Sequence, residues 1–221
     1  MHTSTSRLGF VSALVVLVCG VPMASGAFLP VGGTLYPAPL ELDPLPGLVL
    51  FTTGPLPFVG GAFSGALESV VIAGDPTNPW GGLTFAYMVS NNAGSTNDIG
   101  RLTVIDYTGW QTDASYQAPG TSMPPLPLGG AVPPAYINRS TPDVVGFSFA
   151  GFPLGPGVLR PGMSSTWLVV QTDAPRWVHT TAYVIDGSIA SVPSVGPIPE
   201  PAALALLGLG TAFVLRRRRH A

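Results

Sequence analysis

The sequence predicts an all-β protein, an antiparallel β-sandwich or jelly-roll-like single domain. Three observations carry this. Proline and glycine punctuate the chain, with 25 and 28 copies among 221 residues, too densely for long helices. The runs between them alternate apolar and polar residues with period two, and no stretch keeps a capped helical period. β-Branched and aromatic residues dominate those runs, as a pleated, half-buried surface favours.

The first part of the body carries Pro30, Pro37, Pro39, Pro44, Pro46, Pro55 and Pro57. It reads as loop and short edge strand, because each proline removes a donor and fixes φ. Strand patterns follow. "ESVVIAG" is one run, and "LTFAYMVS" places Leu83, Phe85, Tyr87 and Val89 on one face, with Thr84 and Ser90 on the other. "RLTVIDYTGW" sets Leu102 and Val104 against Thr103 and Ile105. "VVGFSFAGF" lines up Val145, Phe147 and Phe149. "STWLVVQTDA" puts Trp167, Val169 and Gln171 opposite Leu168 and Val170, and "TAYVIDG" offers Tyr183 and Ile185. Turn chemistry separates the runs at residues 74–82, at 90–98 and at Pro161-Gly162. The pattern predicts about seven to nine strands by comparison with ordinary sandwiches. Residues 115–136, low in charge and rich in proline, are expected to form a long surface loop.

Both ends differ from this body. Arg7, the apolar run 8–20, Pro22 and the small residues Ala24, Ser25, Gly26 and Ala27 have the order of a secretory signal peptide. Cleavage is expected after Gly26 or Ala27, so that residues 1–27 form the leader and 28–196 the body. The apolar run is short for a permanent span. Cys19 could mark a lipidation site, but Val18 stands where a small residue would be needed. With Cys19 lost in the leader, the mature chain has no cysteine and must be held by burial and backbone pairing.

Charge narrows the function classes. The chain has no lysine, and the body has four arginines against ten acidic residues, a balance of −6. This disfavours nucleic acid, which needs clustered cations, and docking of the body on anionic lipid.

Reactive side chains are few. His179 is the one histidine of the body, so a Ser-His-Asp triad would have to use it. Without cysteine or lysine there is no His/Cys zinc set and no Schiff-base nucleophile. Asp106, Asp113, Asp143, Asp173 and Asp186 are candidates for a paired-carboxylate site, but their positions at strand ends and turns fit ordinary turn chemistry. No metal or cofactor is expected. The loop 90–98 is rich in oxygen ligands that calcium favours, yet lacks EF-hand spacing. Trp80, Trp110, Trp167 and Trp177 could stack on sugars, with Trp80 the most exposed choice because it lies in a Pro/Gly turn. Asn138-Arg139-Ser140 fits a glycosylation sequon.

The C-terminus is the specific signal. Residues 202–215 are uncharged and helix-competent, and Arg216, Arg217, Arg218 and Arg219 follow. As a helix the run would rise about 21 Å, short of a bilayer core of about 30 Å. The arginines should stay cytoplasmic, which places the body across the inner membrane. Ile198-Pro199-Glu200-Pro201, the apolar run and the arginine cluster resemble the PEP-CTERM sorting signal of exopolysaccharide-producing Gram-negative bacteria. The resemblance covers residues 197–221. It implies recognition and cleavage by exosortase near Pro199, Glu200 and Pro201, with a transmembrane helix as a transient inner-membrane anchor and the arginines as a cytoplasmic stop. It also implies delivery to the cell envelope, surface or extracellular matrix. The expectation is thus an exported, non-enzymatic protein. Two rivals are a module binding carbohydrate, exopolysaccharide in particular, through Trp80, and a secreted hydrolase built on His179 or a carboxylate pair.

Overall fold

The computed structural model describes residues 26–41, 47–121, 127–150 and 159–199. Among the described residues there are fourteen strands and no helix. Five short strands come from the proline-rich opening: β1 (Ala27–Phe28), β2 (Thr34–Leu35), β3 (Leu40–Glu41), β4 (Leu48–Thr52) and β5 (Leu56–Val59). Nine follow: β6 (Ser64–Ala73), β7 (Thr84–Asn91), β8 (Arg101–Val104), β9 (Thr112–Gln117), β10 (Tyr136–Thr141), β11 (Val144–Ser148), β12 (Leu168–Thr172), β13 (Trp177–Asp186) and β14 (Ser188–Pro197). The excess over the expected seven to nine is thus the opening stretch, where prolines shorten the strands without abolishing them.

Two sheets result. The first runs β1-β9-β12-β7-β6-β4, with β3 also on β9 and β5 also on β6. The second runs β14-β13-β8-β11-β10-β2. Pairing is antiparallel except for β3 with β9, which is parallel.

One apolar core joins the sheets, as a sandwich requires. Leu67, Phe85, Tyr87, Val89, Leu168 and Val170 come from the first sheet; Leu102, Val104, Val145, Phe147, Val184 and Val192 come from the second. The expected faces of 83–89, 102–104, 145–149 and 167–171 are the observed ones. In β13 the inward residues are Ala182 and Val184, while Tyr183 and Ile185 are half-buried on the outer side. Its pairing with β8, Val184 opposite Leu102, sets that choice.

Val70, Ile72, Ala86, Trp167 and Val169 form a second cluster on the other face of the first sheet. Trp167 is fully buried and its indole N–H donates to the Pro127 carbonyl at 3.1 Å. The loop expected over 115–136 therefore starts later and covers more. Ser115 and Gln117 are buried within β9, and Val132 reaches the main core. The short polar run of β9 hides its strand character, because its outer face is itself covered.

Polar ties cross between the sheets. Ser69 Oγ and Ser194 Oγ are 3.0 Å apart and buried. Tyr87 Oη donates to the Val195 carbonyl at 2.8 Å, so Tyr107 Oη, also at 2.8 Å, must donate to Tyr87. Burial raises the Tyr87 and Tyr107 phenols above the ordinary range, so both stay protonated donors.

Candidate functional site

The last strand runs straight into the signal found in the sequence. β14 is an edge strand, a position that tolerates Pro193 and Pro197, which lack an N–H. Its end is pinned to the body. Trp177 stands opposite Pro197 in register, and the Ile198 N–H donates to the Arg176 carbonyl at 3.2 Å. The Trp110 indole N–H donates to the Ile198 carbonyl at 2.8 Å. A Cβ on Gly196 would stand 2.8 Å from the Ile105 carbonyl oxygen, so β14 passes the 105–110 loop at glycine clearance.

Arg139 holds that loop. It is 3% exposed and spends its donors on the carbonyls of Tyr107 (2.6 Å), Pro142 (2.7 Å) and Trp110 (3.0 Å) and on Thr112 Oγ1 (3.1 Å). Burial lowers its guanidinium pKa from the usual value, against the opposing pull of Tyr107, Asp143 and Asp173. A buried arginine thus sets the backbone that aims Trp110 at Ile198. Sequence reasoning missed this support: Arg139 precedes Ile198 by almost sixty residues, and no spacing rule links them.

Pro199 is exposed, one residue beyond the pinned Ile198. Glu200, Pro201, the expected transmembrane helix over 202–215 and Arg216, Arg217, Arg218 and Arg219 lie outside the described residues, as do residues 1–25 of the expected leader.

The other candidate residues are dispersed. Trp80 is half-buried, edge to face with Phe28 at 5.6 Å between ring centroids. Its turn is fixed by Asp75, which accepts from Thr77, Thr84 and Gln171, and by Asn78 Oδ1, which accepts from the Trp80 N–H. His179 is exposed on β13, and its ring packs edge-on to Phe51 at 5.1 Å and Trp177 at 5.2 Å. Asp143 caps the Asp106 N–H at 3.0 Å, Asp173 accepts from the Gln111 N–H at 2.9 Å, and Asp106 accepts from Thr180. The roles of Asp143 and Asp173 are turn-stabilising, and Asp106 ties its loop to β13. In the 90–98 loop, Asn92 and Ser95 donate to Ser64, and Thr96 donates to the Ala62 carbonyl, bracing the β5–β6 turn. Asn138 sits in β10, and its side-chain oxygen accepts from Arg101 Nη2 at 2.6 Å.

Residues 197–219 match the PEP-CTERM protein-sorting motif. The chain carries a PEP-CTERM sorting motif. Pro197 therefore belongs both to the motif and to β14, and the pinned Ile198 is the motif's second residue. The motif implies an exported protein that exosortase targets and processes, and delivery to the cell envelope or surface. No curated protein and no solved structure matches the chain.

Proposed function

We propose that this PEP-CTERM protein is a non-enzymatic β-sandwich component of the cell surface or extracellular matrix. A cleaved signal peptide exports it. The tail holds it transiently in the inner membrane until exosortase cuts near Pro199, Glu200 and Pro201. The observation that carries the reading is the junction itself: the edge strand β14 ends at Pro197, where the sorting motif begins, and the next residue, Ile198, is pinned to the body. The body is delivered as a finished domain, and the motif supplies the address.

The test is mass spectrometry of the mature C-terminus in the native host. The expected product ends near Pro199–Pro201 and lacks Arg216, Arg217, Arg218 and Arg219. Finding those arginines on the bulk of exported protein would refute processing. A second reading, a carbohydrate-binding module, rests on the Phe28–Trp80 pair, because Phe28 is 52% exposed beside a half-buried indole. Failure to bind any glycan on an array that includes the host's exopolysaccharide would remove it.

A further inference from the structure

The outer edge of β9 carries two short strands end to end. β1 lies antiparallel to it, with Ala27 opposite Ala114 and Phe28 opposite Asp113. β3 lies parallel to it, with Leu40 opposite Tyr116 and Glu41 opposite Gln117. Leu40 therefore occupies the edge beside Tyr116, and the slot open to β1 ends one residue before Ala27, at Gly26.

Gly26 is fitted into that slot. Its N–H donates to Glu41 Oε2 at 3.0 Å, and Ser115 Oγ reaches the same oxygen at 3.4 Å. A Cβ at position 26 would fall 1.9 Å from Asp113 Oδ1, so only glycine lets this carboxylate lie against the backbone. Glu41 is 1% exposed and Asp113 5% exposed. Asp113 Oδ1 is buried and has no hydrogen-bond partner among the described residues. Two buried carboxylates thus lie against Gly26, Glu41 on its nitrogen and Asp113 where a side chain would stand. Buried carboxylates require a compensating charge or donors. For Asp113 the body has no lysine to offer, and the guanidinium of Arg139, which bonds the adjacent Thr112, is committed to carbonyls and that hydroxyl.

We infer that Gly26 is the first residue of the mature protein, and that its α-ammonium is received by Glu41 and Asp113. The inference rests on the reading that a signal peptide is removed. Signal peptidase would hydrolyse the Ser25–Gly26 amide: water's oxygen goes to the Ser25 carboxylate, and Gly26 leaves as an amine that takes up a proton. The one N–H at position 26 then becomes a cation with three donors, enough for Glu41 Oε2 and the unpartnered Asp113 Oδ1. Ser25 supplies the small residue before the cut, while Met23 departs from the A-x-A pattern two positions earlier. Cleavage after Gly26 or Ala27 suits that pattern but discards the glycine that Asp113 requires and the nitrogen that Glu41 holds. The body folds around Gly26, so Gly26 belongs to the body.

The test is N-terminal sequencing and intact mass of the full chain after expression with export in a Gram-negative host. A start at Gly26 is expected. A start at Ala27, Phe28 or any residue upstream of Gly26 but beyond Met1 overturns the assignment and leaves export intact. An uncleaved start at Met1 overturns the export reading itself. Pairing is tested separately on protein that starts at Gly26. The chain has no lysine, so the α-amine is its single amine and an acylating reagent reports on it alone. Acylation is expected to be at least tenfold slower in folded protein than in urea, and Glu41→Gln or Asp113→Asn should restore most of the rate. Equal rates in folded and unfolded protein would overturn the pairing.

Discussion

Asp113 links a single side chain to the maturation state of the whole protein. With residues still attached before Gly26, burial pushes its carboxyl up to about 7 from an ordinary 3.8. A carboxyl whose folded pKa is raised supports the fold fully below its unfolded pKa and loses that support as pH rises through the folded value. The uncleaved chain should therefore lose stability between about pH 4 and pH 7. Glu41 is the other titratable group against Gly26, on its nitrogen. Asp113→Asn should flatten the slope of Tm against pH in the uncleaved chain; an unchanged slope would show that Asp113 is not its source. The tyrosine pair is a second residue-scale case. Tyr87→Phe leaves the Val195 carbonyl and the Tyr107 hydroxyl without a buried partner, which should cost about 1–3 kcal/mol. Urea unfolding measures this, and a change below about 0.5 kcal/mol would mean that water replaces the hydroxyl. Neither feature is written in the sequence as a motif. Asp113 looks like one more scattered aspartate, and its burial depends on β1 and β3 meeting end to end on β9.

At the scale of elements, the central strands were legible because their alternation is enforced by a buried face. Leu83, Phe85, Tyr87 and Val89 all face the core, as do Val145, Phe147 and Phe149. Legibility failed where pairing overrides residue size. In β13 the small Ala182 points inward and the larger Tyr183 outward, because the register with β8 decides the face. It failed again in β9, whose polar letters conceal a strand buried by neighbours on both sides. The β14 terminus is an element whose integrity can be tested. Trp110→Phe removes the donor to Ile198 while keeping an aromatic ring, and should cost about 1 kcal/mol. For a body of this size that is a fall in Tm of about 2–4 °C. Carboxypeptidase should also trim the variant past Ile198 faster than the parent. Equal trimming would mean that Arg176 and the β13 ladder hold the end unaided.

At the scale of the molecule, the tail was readable because its three parts stand in order in the sequence, and the matched motif spans 197–219. The body was readable as a fold, in two sheets around one core, but not as an activity. Its chemistry-bearing side chains are spent on turns: Asp75, Asp143 and Asp173 on backbone and side-chain donors, Arg139 on carbonyls. Among the described residues no group of three or more His, Cys, Asp or Glu side chains comes together.

The pinned Ile198 has a mechanical consequence. Between the last residue tied to the body and the start of the Pro-Glu-Pro triplet there is no spacer. Proline fixes its own φ near −65° and narrows the choices of the residue before it. Ile198-Pro199 is thus a stiff hinge rather than a swivel. Whatever the processed end is joined to, the sandwich would stand on it like a post on a short foot, with the open end of the β13–β14 ladder, Trp177 opposite Pro197, at the base and its heading set by two residues.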